Sequence, residues 1–356
     1  MQNFLFISLT LFLIACGNKE NNNDNKFSEF PQNIEAYNKH KIHQFGNDNF
    51  ARQLAINDGF IYLFDYENKP YIRKFDKHFN FLDSLGISTD FNIDNPFFQH
   101  FDKNGDFVFI NESEYLSTYK ENDSFINVNS LELIDEIETN RLLNGDGIFQ
   151  AFSLDSTIVL DAYYPKSGDF FVFNKNNNER SKWIDFIHPL DERNNQFDDE
   201  EFPYVLYRNK INLDAHNMKL IQVFSNFPTL QIFNSKGERR THKSYHNPTI
   251  KISNIKEIYA NFLNKNNPSY VQYLNSFITK DRIYALYLNE TWEDILAYNY
   301  TDFEIHVFDW NLNPIQKINI VDHIDTMASF IILEETNEII FVNPNQNDTY
   351  YTKWSF

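Results

Sequence analysis

An all-β fold, a six-bladed β-propeller, is what this sequence predicts, and three observations predict it. The apolar segments are short, rich in Phe, Tyr and β-branched residues, and bounded by Asn, Asp, Gly or Lys. They recur as strand–turn–strand units, six of them from Pro31 to Phe356 at a spacing of about 54 residues, close to the period of propeller blades. The turn after the third strand of a unit also repeats one chemistry. Asp or Asn follows a strand-ending Phe at Phe75-Asp76, Phe173-Asn174, Phe233-Asn234 and Phe308-Asp309. Such side chains bond back to the neighbouring backbone and favour turns.

Bulk composition is consistent with this class. Hydrophobic residues make up 42%, enough for a core, and 37 Phe and 20 Tyr favour pleated, half-buried surfaces. With 9 Gly and 11 Pro the chain is neither collagen-like nor of low complexity. The formal net charge of −19 argues against nucleic acid, whose binding needs stripes of cations, and by the same measure anionic headgroups repel the domain. The single cysteine, Cys16, cannot form an internal disulfide. It also leaves the remaining chain without a thiolate for catalysis or structural zinc.

Residues 1–15 read as a signal peptide. Phe4 to Ala15 (FLFISLTLFLIA) is nearly apolar but too short for a membrane-spanning helix, which needs about twenty residues. It ends Leu13-Ile14-Ala15-Cys16-Gly17, which resembles the lipobox of bacterial lipoproteins. That resemblance implies a lipid on Cys16, which then becomes the mature N-terminus. Met1-Gln2-Asn3 departs from the usual pattern in carrying no Lys or Arg. Residues 16–30 are then the lipidated cysteine and a flexible tether, since Asn18 to Lys26 (NKENNNDNK) is polar throughout. The expected location is the cell envelope, at the outer membrane, periplasmic or surface-exposed, with the membrane reached through Cys16.

Residues 31–356 are expected to form the propeller as one domain. The first unit runs from Ala55 to Gly86 around the turn Asn57-Asp58-Gly59. The second runs from Phe101 through Asn104-Gly105-Asp106 to Tyr119, the third from Ala151 to Ile184, and the fourth from Lys210 to Gly237. The fifth runs from Ser276 to Ile320 and the sixth from Phe330 to Tyr351. Ile34 to Tyr37 is expected to close the ring beside the last unit. Two stretches, Leu131 to Leu143 and Asn254 to Leu263, have helical spacing and are expected as helices in loops between blades.

At this point the chain resembles the TolB-like six-bladed β-propeller lipoproteins of bacterial cell envelopes. The resemblance is carried by Tyr207-Arg208-Asn209-Lys210-Ile211 through Leu230-Gln231-Ile232-Phe233, and by Phe277 through Phe308-Asp309-Trp310. It implies the fold and the location, and no defined reaction.

The sequence holds no Gly-x-Ser-x-Gly elbow, no His-Glu-x-x-His and no phosphate-binding glycine loop. No catalytic residue, metal ligand or cofactor is predicted. His40 with His43, and His242 with His246, are close in sequence but lack further ligands. His306 alternates with Glu304 and Phe308 on one strand face and reads as an ordinary strand histidine. Asp198-Asp199-Glu200-Glu201 lacks the spacing of a calcium loop, and Asn144-Gly145-Asp146-Gly147 reads as a turn. The candidate ligand site is Trp292, Glu293 and Asp294, within NETWEDILAYNY, where an aromatic beside carboxylates could stack on a sugar or cap a peptide. The expected function is a binding or scaffolding module for an envelope protein or glycan. The alternative is a glycan-active hydrolase or lyase using carboxylates in the central pocket.

Overall fold

The fold is known from a computed structural model, which describes residues 26–27, 30–45, 51–65, 72–85, 96–102, 104–111, 115–121, 131–138, 148–153, 156–162, 170–184, 209–214, 219–225, 228–234, 238–245, 270–291, 294, 303–320, 329–345 and 348–356. Among these residues the extended segments are antiparallel strands joined mostly to their sequence neighbours, as short alternating runs require.

The first sheet is β3 (Ala51–Asn57), β4 (Phe60–Asp65), β5 (Ile72–Phe75) and β6 (Phe81–Leu85). The second is β7 (Pro96–Phe101), β8 (Phe107–Asn111), β9 (Tyr115–Glu121) and β10 (Leu131–Glu138). The third is β11 (Ile148–Ser153), β12 (Thr157–Ala162), β13 (Phe170–Asn174) and β14 (Glu179–Ile184). The fourth is β15 (Asn209–Asp214), β16 (Lys219–Phe224), β17 (Thr229–Phe233) and β18 (Arg239–Tyr245), with β1 (Lys26–Phe27) added parallel to β18. The last sheet has eight strands. β19 (Tyr270–Ile278), β20 (Ile283–Thr291), β21 (Phe303–Phe308) and β22 (Pro314–Ile320) lead into β2 (Asn33–Phe45), followed by β25 (Asp348–Ser355), β24 (Glu338–Asn345) and β23 (Ser329–Leu333).

Six separate four-stranded sheets are therefore not what the hydrogen bonds make. Among the described residues there are five sheets, four of them built on a single four-stranded meander. The cause is β2, whose 13 residues serve two neighbours. Asn33 to Ala36 run parallel to β22, opposite Lys317 to Ile320. From Tyr37 onward the strand is antiparallel to β25, with Tyr37 opposite Ser355 and Phe45 opposite Thr349. So of the expected closing segment Ile34–Tyr37, only Tyr37 pairs with the final strand.

A second correction concerns Leu131 to Leu143. Leu131–Glu138 is strand β10, not helix. Its apolar residues fit helical spacing because a bulge between Leu133 and Asp135 shifts the alternation and leaves Ile134 49% exposed. Residues 139–143, and the expected helix Asn254 to Leu263, lie outside the described residues.

The sheets pack face to face. Phe64, Ile72 and Leu85 of the first meet Phe98, Phe107 and Phe109 of the second, with Phe64 and Phe98 stacked at 3.9 Å. Val108 and Ile110 of the second meet Ile158, Leu160 and Phe173 of the third. Ile221 and Val223 of the fourth meet Ile283 and Phe308. Leu286 and Ile305 meet Phe330 and Phe341, and Ile331 and Ile340 return to Leu54 and Ile61 of the first sheet.

The turn chemistry holds in detail. Asp76 Oδ1 accepts from the His78 and Asn80 amides at 2.9 and 2.8 Å, while Asp76 Oδ2 accepts from Asn80 Nδ2. Asp309 does the same with Asn311 and Asn313. Both turns force a large apolar residue into positive φ, Phe79 at 65° and Leu312 at 57°, and both residues are buried.

Candidate functional site: the axial seam

The first strands of the successive meanders lie beside one another: β7 beside β3 and β11, β19 beside β15 and β23, and β23 beside β3. They form the wall around the central axis, and the later strands of each meander step outward. A first strand is a sheet edge, so its outward-facing backbone groups need partners from elsewhere.

Those partners are side chains of the adjacent first strand. Ser329 Oγ accepts from the Leu54 amide at 3.2 Å, and Gln99 Oε1 accepts from the Ala151 amide at 3.2 Å. Asn212 Nδ2 donates to the Ser276 carbonyl and hydroxyl at 3.1 and 2.6 Å. His100 Nε2 lies 3.1 Å from the Ser153 amide nitrogen and 3.2 Å from its carbonyl oxygen. Lys175 Nζ donates to Ser153 Oγ at 2.8 Å and pairs with Asp135 at 3.5 Å. Burial drives the His100 pKa down to about 4, so the imidazole is neutral at pH 7.

The residue types along this seam are selective. Gln53, Gln99, Gln150 and Gln272 fall on four of the first strands, with Asn57, Asn212, Asn275, Ser153, Ser276 and Ser329 beside them. Across the described first strands the only carboxylate is Asp214, at the end of β15, in a chain with 50 Asp and Glu. Gln272 is 1% exposed. Its Nε2 donates to Asn289 Oδ1 at 3.3 Å, and its Oε1 has no protein partner. The sequence did contain this signal, a carboxamide recurring on first strands. It becomes visible only when those strands are known to be neighbours.

A second polar cluster sits between the fourth sheet and β19–β22. His306 is fully buried, with Nδ1 3.0 Å from the Tyr273 hydroxyl and Nε2 2.9 Å from Glu304 Oε2. Lys317 Nζ donates to the other Glu304 oxygen at 2.8 Å. Burial holds the His306 pKa below its ordinary value against the pull of Glu304. For Glu304, burial acts upward, but the bond and charge of His306 and Lys317 outweigh it and hold the carboxylate low. Tyr287 stacks on the ring at 4.5 Å and Phe30 lies against it at 4.6 Å. No face of this histidine is open to a ligand, in keeping with a structural strand histidine.

Of the predicted ligand site, Trp292 and Glu293 lie outside the described residues. Asp294 closes a local turn: its amide donates to Thr291 Oγ1 at 3.0 Å, and its carboxylate accepts from that hydroxyl. Cys16, His246, Asp198–Glu201 and Asn144–Gly147 also lie outside the described residues, while His40 and His43 fall on β2 and His242 on β18. Among the described residues no three His, Cys, Asp or Glu side chains gather as a metal site, and no helix is long and apolar enough to cross a membrane.

No family model and no curated protein matches the chain. Solved structures do. A member of the DUF4221 family from Bacteroides vulgatus aligns over 90% of this chain and 96% of its own, with a TM-score of 0.58 at 13% identity. The Dos1 propeller aligns over 86% of this chain and 78% of its own, with a TM-score of 0.42 at 9% identity. The computationally designed Ika8 protein covers 86% and 71%, with a TM-score of 0.36 at 8% identity. The first of these likenesses and the stacked meanders around a common axis agree on the fold: this chain is an all-β propeller.

Proposed function

We propose that this protein is a TolB-like, lipid-anchored propeller of the bacterial cell envelope that works as a binding or scaffolding module. In this reading the ring has six blades, the eight-stranded sheet counting as two that share β2. Cys16 carries the lipid and residues 16–30 the tether to the outer membrane.

One observation supports binding over turnover. Carboxamides and hydroxyls, with His100 and Lys175, make the seam around the axis, and among the described residues its first strands hold a single carboxylate, Asp214. Neutral donors and acceptors suit a neutral hydrogen-bonding ligand such as a glycan or a peptide backbone. An acid–base pair for glycoside cleavage needs two carboxyl groups about 5–10 Å apart. The test is a thermal-shift and calorimetry screen of the acylated protein against glycans and peptides. A binder whose affinity falls about tenfold or more in Gln53→Ala or Gln150→Ala supports the reading, through the loss of one or two buried hydrogen bonds. Turnover of a glycan that disappears in Asp214→Asn would replace it with the enzymatic alternative. Anchoring is tested separately, with Cys16→Ala expected to lose the acyl mass and leave the membrane fraction.

A further inference from the structure

The third sheet has two unlike faces. Ile158, Leu160, Phe171 and Phe173 look toward the second sheet and pack against Val108 and Ile110. The opposite face is built of two rows that cross β12, β13 and β14. Thr157, Asn174 and Glu179 make one row, and Val159, Val172 and Ser181 make the next. In the first and fourth sheets the matching face is packed against the sheet that follows. Tyr62 lies against Phe101 and Phe107 in one, and Ile221 and Ile232 against Ile283 and Phe308 in the other. In the third sheet this face instead lines a cavity of about 460 Å³. Small-molecule sites span about 300–1,000 Å³.

The wall of the cavity is polar and locally braced. The turns at its end are tied together by the Lys175 amide, which donates to the Ser156 carbonyl at 2.8 Å. Asn174 Oδ1 accepts from the Asn176 amide at 2.9 Å, and Asn177 Nδ2 donates to Glu179 Oε2 at 2.8 Å. The free ends of the same side chains, Asn174 Nδ2 and Glu179 Oε1, have no partner among the described residues, and neither do the hydroxyls of Thr157 and Ser181. Arg180 also borders the cavity, but its guanidinium lies over Phe171 at 4.7 Å, on the apolar face. Glu179 is therefore the charge at the wall, and a carboxylate repels an anionic ligand. Side chains opposite one another on paired strands stand about 5 Å apart. Four hydrogen-bonding groups thus cover an area of about one sugar ring, with Val172 beside them to meet its C–H face.

We propose that this face of the third sheet, away from the axis, binds a neutral sugar residue. Amide, carboxylate and hydroxyl groups spread over two rows suit hydroxyls arranged around a ring, whereas an extended peptide offers its amides along one line. The site stands on its own cavity and does not rest on the axial reading.

The test is calorimetry and saturation-transfer NMR of the acylated protein with glucose, galactose, mannose, N-acetylglucosamine and their disaccharides. At least one should bind with a Kd of about 1 mM or tighter. Thr157→Val with Ser181→Ala removes two hydroxyls and leaves both turns intact, and should weaken that sugar about tenfold at an unchanged Tm. Val172→Phe should fill the cavity and abolish binding, and if it does not fold, the hydroxyl variant decides. Absence of sugar binding, or wild-type affinity in the hydroxyl variant, overturns the proposal. Gln53→Ala reads the axial wall separately: a sugar lost in that variant and kept in the hydroxyl variant belongs to the axis, and the proposal falls while the axial reading stands.

Discussion

Gly105 sits where a backbone requirement and a close approach coincide. Its φ is +84°, and a Cβ there would lie 2.7 Å from Asn57 Nδ2, which donates to the Gly105 carbonyl from the neighbouring sheet. Gly105→Ala should therefore lower stability by about 1–3 kcal/mol in urea denaturation, from strain at positive φ plus the displaced Asn57. His100 gives a pH dependence. Its folded pKa of about 4 lies below the ordinary 6.5, so the unfolded chain takes up a proton first as pH falls. Stability is full above pH 6.5 and is lost between there and about 4, by up to about 1–3 kcal/mol. His306, also held low by burial, acts with the same sign. Unfolding curves at pH 7 and pH 5 should differ in wild type and differ less in His100→Gln. Local chemistry at this scale was legible in the sequence: the Asp76 and Asp309 turns use partners within four residues. His100, Tyr62 and Gln99 were not legible, because their partners Ser153, Glu121 and Ala151 lie about fifty residues away on another sheet.

Among elements, β2 and β10 departed from expectation, for different reasons. β10 carries apolar residues at positions that satisfy both periods, and only its ladder to β9 selects the strand. Of β2 only Ile34 to Tyr37 was legible as a strand, and nothing local says that the element will run on to Phe45 and split between two partners. At the split sits Ala36, fully buried beside Ile318 and Ile320. Ala36→Asp would bury an unpaired carboxylate in an apolar cluster, and should cost about 3 kcal/mol or more, seen as a large fall in Tm or as insoluble protein. By contrast, Ser329→Ala removes only the acceptor of the Leu54 amide, and about 1–2 kcal/mol should be lost.

For the whole molecule, the propeller was legible because its cause is repetition, and a period of strands and turns survives in a single sequence. The axial seam was not, because it exists only once the first strands stand side by side. The same reasoning makes the ring an all-or-none object. Residues 46–356, lacking β2, keep most of the described meanders but leave β25 and β22 without their shared neighbour. That fragment should unfold at a Tm lower by about 10 °C or more, or fail to give a single cooperative transition in calorimetry.

The pairing of Tyr37 with Ser355 sets the order of events at birth. Among the described strands β2 is made long before both of its partners, so its edge stays unmatched until β22, and then β25, have been made. A chain stopped before β25 is open, with β24 and much of β2 lacking a neighbour, and an open edge is where a protease can cut. Synthesis of β25 supplies the antiparallel neighbour of β2 and β24, so closure of this part of the ring waits for it.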